Sequence, residues 1–316
     1  NLTTALSFEE SKNQRTRGFY IGGLLSLLTE KNNKLNKGTT LEIDLNGREF
    51  PYLLFACKYV DTLKISNVKG DNVGYGIAMD NGNAGVISFD KIEGDRVGSW
   101  IASFNGNAGV ISFNNIGGDN VGSWIASDNG NTGVISFNDI KGNNVGSWIA
   151  SYNGNAGVIS FNNIGGDNVG SWIASDNGNA GIVSFDNVKG DEVGFGIADK
   201  GNAGIVSFNN VNGRCVGYGI AKNKGNAKIV SFDKIEGDYV GSWIADDGNV
   251  GVISFDNIEG DWVGSWIADY NGKCDILDKE GKYSSQVKQF IEEQKQKYQN
   301  REQLNKDIQE FMRSLT

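Results

Sequence analysis

The sequence predicts a mainly β protein: a parallel β-solenoid (β-helix) of about nine 24-residue coils, with an N-terminal α/β cap and a long C-terminal helix. Three observations predict it. Gly accounts for 45 of 316 residues, whereas there is only 1 Pro and no His. The Val-Gly dipeptides recur every 24 residues, or 23 at two places, from Val73 to Val263. Apolar residues cluster between Gly, Asn and Asp, which is typical of short strands separated by turns.

Each repeat unit has two halves that open with Gly, as in Gly94–Ala102 and Gly106–Ile116. Two strand-and-turn halves are what one solenoid coil requires, whereas a propeller blade needs about 40 residues. We therefore expect identical residues to stack at about 4.8 Å. The predicted core consists of the columns that begin at Val73 and Ile77, a Phe column and an Ile column: Phe89, Phe113, Phe137, Phe161, Phe185, Phe208, Phe232 and Phe255; Ile92, Ile116, Ile140 and Ile164.

The repeat divides the chain into three predicted parts. Residues 1–62 form an N-terminal cap, with helical content over Ser7–Lys31 and a short strand at Leu41–Leu45. The solenoid occupies residues 63–278, and residues 279–316 form a C-terminal amphipathic helix. Solenoids need such caps because their first and last coils would otherwise expose unpaired edges.

The C-terminal helix is expected over Ser284–Leu315, which lacks Pro and Gly and carries a broken apolar stripe. At 1.5 Å per residue it would be about 48 Å long. Two arrangements are open. The helix lies along the solenoid as a lid, with the aromatic column described below as one place for it, or it projects and pairs with a partner helix.

Charge and cysteine content restrict the partners and the compartment. The solenoid segment 63–278 carries 13 basic and 25 acidic residues, a net −12 that repels phosphate backbones and argues against nucleic acid. No apolar run is long enough to span a bilayer. Cys57, Cys215 and Cys274 lack CxxC spacing and are expected to be reduced, which favours the cytoplasm. Since residue 1 is Asn, a removed leader and an extracellular surface location stay open.

Two polar or aromatic columns are candidates for binding. The first is the Trp column: Trp100, Trp124, Trp148, Trp172, Trp243 and Trp266. In the other coils Ser-Trp is replaced by an aromatic residue followed by Gly, as in Tyr75-Gly76. An exposed aromatic ladder binds a partner or a flat carbohydrate, whereas a covered one is core packing. The second is an acidic column: Asp71, Asp95, Asp119, Asp167, Asp191, Asp238 and Asp261. We expect these carboxylates to cap turn N–H groups rather than to bind Ca²⁺.

The strings Gly70–Ile77, Asp191–Ile197 and Arg214–Ile220 contain a Gly-Asp/Arg-x-Val-Gly-aromatic-Gly-Ile pattern or its close variants. This pattern resembles the GxGxG-type parallel β-helix, which occurs at the C-terminal end of glutamate synthase large subunits and in one of the subunits of formylmethanofuran dehydrogenases. The resemblance covers residues 63–278 and implies a right-handed, non-catalytic scaffold. Most coils depart from the pattern, because Ser-Trp stands where the family has a residue followed by Gly.

Together these features predict a glycine-rich tandem-repeat protein that is a non-catalytic structural and interaction scaffold. It would dock a partner protein through its C-terminal helix or a repeat face, or self-assemble. The alternative is a surface or carbohydrate-binding protein that uses the Trp column. Without His there are no Ser-His-Asp or Cys-His sites, and repeated columns single out no catalytic pair. We therefore expect no enzyme activity, no metal and no cofactor.

Overall fold

The computed structural model describes residues 14–298 together with 303, 304, 307, 308, 310, 311 and 314. The elements in chain order are α1 (Gln14–Asn33), β1 (Thr40–Glu49), β2 (Tyr59–Lys69), β3 (Asn83–Glu93), β4 (Asn107–Gly117), β5 (Asn131–Lys141), β6 (Asn155–Gly165), β7 (Asn179–Lys189), β8 (Glu192–Val193), β9 (Asn202–Asn212), β10 (Cys215–Val216), β11 (Asn226–Glu236), β12 (Tyr239–Val240), β13 (Asn249–Glu259), β14 (Lys273–Asp278) and α2 (Ser284–Lys297). They confirm the predicted fold class.

One face of the solenoid is an 11-stranded parallel sheet in the order β1-β2-β3-β4-β5-β6-β7-β9-β11-β13-β14. Repeat-equivalent residues pair across it, so that Phe113 lies opposite Phe137. These strands delimit about ten coils, one more than predicted. The difference arises because β1 already pairs in parallel with β2, inside the segment predicted as the cap.

The other half of each coil is a series of turns rather than a long strand. Alternate residues there have positive φ, for example 60° at Gly98, 62° at Trp100 and 54° at Ala102. The Gly98 N–H donates to Val73 O in the preceding coil, and the Trp100 N–H donates to Ser123 O in the following one. The coils are therefore joined by backbone hydrogen bonds on this turn half as well.

The core lies between the sheet and the turn half and contains the predicted columns. The Phe rings are buried and stack at centroid distances such as 4.8 Å between Phe137 and Phe161. Val97 and Ile101, in the columns that begin at Val73 and Ile77, are also fully buried. Residues spaced by one coil thus form continuous apolar stacks along the rod.

Helix α1 closes the N-terminal end of this core. The predicted helix Ser7–Lys31 corresponds to α1 from Gln14 onward, and residues 7–13 lie outside the described residues. Ile21 and Leu25 of α1 are buried in the core. Ser26 Oγ accepts hydrogen bonds from the backbone N–H groups of Lys58, at 2.8 Å, and Tyr59, at 3.2 Å. The helix therefore supplies an acceptor where no preceding coil exists.

The C-terminal helical residues form a cover on the outside of the sheet. Helix α2 ends at Lys297, and Tyr298, with φ −53° and ψ 113°, leaves the helical region. Farther along the chain, Leu304 is buried in the same apolar cluster as α2, and the ring of Phe311 stacks on Phe290 at 4.2 Å. The predicted continuous helix is therefore interrupted. We call α2 together with Leu304, Ile308 and Phe311 the helical cover.

Candidate functional site

The Trp column is a stack of nearly parallel rings on the turn half. Ring centroids are 4.9 Å apart between Trp100 and Trp124 and 5.0 Å apart between Trp124 and Trp148, with interplanar angles of 3° and 4°. Trp172 continues the stack at 5.3 Å. Trp243 and Trp266 form a second, shorter stack at 5.2 Å. Because the rings stack on one another, neighbouring rings occupy most of their faces, and the column presents mainly ring edges.

Backbone conformation explains why Ser-Trp alternates with an aromatic residue followed by Gly. All six Trp residues of the column have positive φ, between 54° and 62°. This region costs a residue with a side chain about 1–2 kcal/mol, which Gly avoids. Gly196 occupies the same place with φ 67°, and a β-carbon there would lie 3.0 Å from the Trp172 ring. The position therefore holds either a Trp supported by stacking or a Gly.

Other side chains fill the space where the Trp column is interrupted. Phe195 packs its ring edge-on against Trp172, with centroids 5.5 Å apart and an interplanar angle of 65°. Farther along, Lys222 Nζ lies 5.1 Å from the centroid of the Trp243 ring and 3.4 Å from Asp246. Protein groups therefore continue or cover the column at the interruption as well.

The helical cover does not lie over the Trp column. Of the two arrangements left open, the helix lies along the solenoid rather than projecting, but the apolar residues of the cover contact the outer face of the sheet and not the Trp column. Five of the six Trp side chains are half-buried, and Trp266 is exposed. The column is packed by its own stacking and by neighbouring coils.

The acidic column caps the backbone of successive coils, as expected. The Asp95 N–H donates to Asp71 Oδ1 and the Asp119 N–H donates to Asp95 Oδ1, both at 2.9 Å. Asn143 takes part in the same way: its N–H donates to Asp119, and its side-chain oxygen accepts from Asp167. From Asp71 to Asp167, one side-chain oxygen of each column residue thus accepts from a backbone N–H of the next coil.

Over the described ranges, no cluster of three or more Cys, Asp or Glu side chains has an arrangement that could hold a metal ion. In the same ranges no helix combines the length and the apolar character that a membrane crossing requires.

The outer sheet face has a glycine groove beside an apolar ridge. The groove consists of the third residue of successive strands, and the ridge of the fourth. The ring of Tyr298 lies in the groove, within 2.8 Å of where β-carbons at Gly157 and Gly181 would be. Leu304 lies in the same groove beside Gly204. A side chain at these positions would displace the cover, so glycine makes its close approach possible.

The ridge carries Ile182, Ile205, Ile229 and Val252 under the helical cover, where all four are fully buried. Val287, Ile291 and Ile308 of the cover pack against them. Charged groups flank this contact. Lys288 Nζ lies 2.7 Å from Asp256 and 2.9 Å from Asp233, and Lys295 Nζ lies 3.3 Å from Asp186.

The same groove and ridge continue beyond the cover. We call this part the free strip: the ridge residues Val86, Val110 and Val134 with the groove residues Gly85, Gly109 and Gly133. Val86 and Val110 are both 38% exposed. No described segment lies on the free strip, which makes it an apolar surface continuous with one that already holds helices.

The Val and Ile order marks three of the covered strands, whereas the covered strand β13 keeps the uncovered order, Val252-Ile253. Uncovered strands carry Val outside and Ile inside, as in Val110-Ile111, whereas three covered strands carry the reverse, as in Ile205-Val206. The larger residue thus faces the cover, and the smaller one compensates for its volume in the core. This reversal was the signal in the sequence that would have located the cover, but the repeat pattern alone treats Val and Ile as equivalent.

A ladder of hydrogen-bonded Asn side chains was not predicted from the sequence. Asn side chains at the first position of successive strands are hydrogen-bonded to one another, as between Asn155 Nδ2 and Asn131 Oδ1 at 3.0 Å. Asn179, Asn202, Asn226 and Asn249 continue this ladder. Its amides are mutually satisfied, which indicates a structural role.

Comparison with protein-family models, with curated proteins and with solved structures finds no match to the chain.

Proposed function

We propose that this protein is a rigid, non-catalytic scaffold that docks an amphipathic helix of a partner protein on the free strip. The observation that carries the proposal is the continuity of the free strip with the surface under the helical cover. Ile205 and Val110 are equivalent residues of the same ridge; the first is buried by the protein's own helix and the second is 38% exposed. A surface shaped for a helix thus extends beyond the helix that occupies it.

The dimensions of the free surface suit a short helix. The free strip spans two inter-strand steps, from β3 to β5, or about 10 Å at about 4.8 Å each. Two helical turns, about 7 residues, have that length. Because the free ridge carries Val in place of Ile, a partner needs large side chains, such as Leu, Phe or Tyr, to fill the space. An aromatic residue would enter the groove at Gly109 or Gly133 as Tyr298 does at Gly157.

The flanking charge distinguishes the partner from the helical cover. The carboxylates that pair with Lys288 and Lys295 are replaced along most of the free strip by amides, as at Asn114 and Asn138. A partner helix therefore needs neutral polar residues, not lysines, along this side. Apolar contact would supply most of the affinity, at about 25 cal/mol per Å² of buried apolar surface before the cost of association.

A labelled peptide of residues 284–298, carrying Lys288→Gln and Lys295→Gln, tests this proposal by fluorescence anisotropy on the full-length protein. We expect saturable binding that Val110→Arg weakens at least tenfold. Asn115→Arg is the matched control, because Asn115 is exposed on the same strand but lies outside the free strip. It should leave binding unchanged. Absence of saturable binding, or equal binding to V110R, would overturn the proposal.

The Trp column supports the carbohydrate alternative less well. Sugars stack on exposed ring faces, whereas here consecutive rings such as Trp124 and Trp148 face one another 5.0 Å apart. We therefore favour protein docking. The GxGxG-type resemblance stays a hypothesis. The free thiols of Cys57, Cys215 and Cys274 are consistent with the cytoplasmic location that we propose.

A further inference from the structure

We infer that copies of this protein stack head to tail: the outer face of α1 in one copy packs on the open C-terminal end of the solenoid in the next. The two ends differ. One is closed by a helix with a second apolar face, and the other ends in a coil that no described helix covers. The free strip runs along the side of the rod, and its Gly85 end adjoins α1 at Thr29 and Asn33.

Helix α1 is apolar on both sides. Its inner side, which includes Gly18, Ile21 and Leu25, packs on the first coil. Its outer side carries large apolar residues that are exposed: Phe19, Tyr20, Leu27 and Leu28. Leu27 is 65% exposed. No other described segment covers this outer side, and exposed apolar side chains grouped on one face mark a surface that a partner would bury.

The axial position of α1 makes its outer side face along the rod. Ser26 Oγ accepts from the N–H groups of Lys58 and Tyr59, the role that a preceding coil would otherwise have. Gly22 packs against the backbone of Phe55 and Cys57. The helix therefore lies across the end of the solenoid. The side opposite this contact points away from the molecule, toward the position of a preceding copy.

At the C-terminal end no described helix lies across the turn half, where Lys279 Nζ donates to Gly264 O at 3.2 Å. Trp262, Trp266 and Tyr270 are exposed there, Tyr270 by 79%. The N–H of Trp266 occupies the place of the Trp243 N–H, which donates to Ser265 O in the next coil. After Trp266 the described chain supplies only the strand β14 to the sheet and no further turn half. Aromatic side chains and backbone donors thus remain at this end.

The two ends have opposite charge. Residues 14–39, which contain α1, carry 5 basic and 1 acidic residue, a net +4. Residues 259–280, at the C-terminal end, carry 2 basic and 6 acidic residues, a net −4. Exposed Lys31 and Lys34 at one end therefore complement exposed Asp261 and Asp269 at the other. Two like ends would repel, so complementarity favours head-to-tail contact over a symmetric dimer.

Head-to-tail packing of copies also matches the arrangement of the sheet half and the turn half at the two ends of the rod. At the N-terminal end α1 covers the turn half, and β1 is the edge of the sheet half. At the C-terminal end the turn half is open, and β14 is the edge. When one copy is placed on the next in the register of the repeat, α1 of one copy lies on Trp266 and Tyr270 of the other. The edge strand β1 of the first copy then lies beside the edge strand β14 of the second. Such a heterologous contact leaves both outer ends free and extends into a filament.

Sedimentation velocity of the full-length chain over a wide concentration range, with two variants, tests this inference. Leu27→Glu disables only the α1 face, and Tyr270→Glu disables only the open end. Both side chains are largely exposed, so folding should be retained, and circular dichroism checks it. We expect the wild type to form dimers and longer species, each variant alone to be monomeric, and an equimolar mixture to stop at the dimer.

The mixture is decisive because L27E keeps an intact open end and Y270E keeps an intact α1 face. Raising the salt concentration should weaken the assembly of the wild type several-fold. A wild type that is monomeric up to its solubility limit would overturn the inference. So would self-association of L27E alone or of Y270E alone, since either would indicate a symmetric or a lateral contact. Asn115→Glu, on the side of the rod, should assemble as the wild type does.

Discussion

Lys288 of α2 donates to Asp256 of the sheet, with Nζ and Oδ2 2.7 Å apart. This hydrogen bond lowers the pKa of Asp256 below its ordinary value, against the opposing effect of partial burial. The same ammonium lies 2.9 Å from Asp233, so one lysine joins the helical cover to two neighbouring strands.

The sign of this pKa shift predicts how the helical cover responds to acid. Because the pKa of Asp256 is lowered in the folded protein, its contribution is fully present above the ordinary value of about 4. It is lost as pH falls through the lowered pKa. We expect hydrogen–deuterium exchange of α2, corrected for the intrinsic pH dependence, to accelerate below about pH 4, before the sheet itself opens. Equal protection of α2 at pH 7 and at pH 3 would contradict this expectation.

Lys288→Met should weaken the helical cover at neutral pH. Because the lysine is about one-third exposed, we expect the variant to lose about 0.5–1 kcal/mol of docking free energy. Lys297→Met is the matched control. Lys297 is on the same helix, and among the described residues it pairs with Glu293, at 3.4 Å, within α2. Exchange rates of α2 should rise in K288M and stay near wild type in K297M.

Two glycines of α1 should respond in opposite ways to alanine. A β-carbon at Gly18 would overlap the carbonyl oxygen of Tyr52, whereas one at Gly23 would meet nothing within 4 Å. Gly18→Ala should therefore displace the cap and cost several kcal/mol, on the order of other buried overpacking changes. Gly23→Ala should gain up to about 1 kcal/mol from helix propensity. Urea unfolding measures both; a G18A protein as stable as wild type would refute the close contact.

The reactivity of the Cys57 thiol is a second probe of whether α1 is packed on the first coil. Burial raises its pKa to about 11, with hydrogen bonds to Ser26 and Tyr59 opposing the shift. At pH 8 the thiol is therefore protonated as well as inaccessible, and alkylation should be slow. In Gly18→Ala, where the cap is displaced, we expect alkylation of Cys57 to accelerate at least tenfold. Rapid labelling of Cys57 in the wild type would contradict the position of α1.

The two arrangements found in the Trp column, Ser-Trp and an aromatic residue followed by Gly, should be interchangeable. Trp148→Gly removes stacking with Trp124 and Trp172, at about 0.5–1.5 kcal/mol per pair plus lost burial. Because Gly has no steric penalty at positive φ, the substitution also regains about 1–2 kcal/mol, which offsets part of that loss. Adding Ser147→Tyr recreates the arrangement of Tyr75-Gly76, so the double variant should unfold at a higher urea concentration than W148G. A double variant less stable than the single one would contradict this explanation.

Covered and free parts of the ridge should differ in their sensitivity to truncation. Ile205→Ala leaves a cavity between the sheet and the helical cover and should cost about 2–4 kcal/mol. Val110→Ala, at the equivalent exposed position, should cost less than about 1 kcal/mol in the isolated protein. Thermal unfolding compares them. Equal costs would mean that the cover contributes little to the burial of Ile205.

Structural features that repeat in every coil were predictable from the sequence, whereas features that occur only once in the chain were not. Phe113 and its equivalents were assignable to the core because a parallel stack brings equal residues together. The place of the helical cover depends on non-repeating details, such as Ile205-Val206 against Val110-Ile111 and the seat of Tyr298 on Gly157. The apolar stripe indicates that α2 packs against the protein, but it does not indicate which face of the solenoid α2 contacts. The strand β1 lacks the repeat motif, so its pairing with β2 was not predictable from periodicity.

Photo-cross-linking tests the claim that the outer sheet face docks helices most directly. The peptide of residues 284–298, with Lys288→Gln, Lys295→Gln and a benzophenone side chain in place of Tyr298, is irradiated with the full-length protein. Mass spectrometry then locates the adducts. We predict adducts in strands β3–β5, beside Gly85, Gly109 or Gly133. Adducts confined to the Trp column or to the ends of the rod would contradict it.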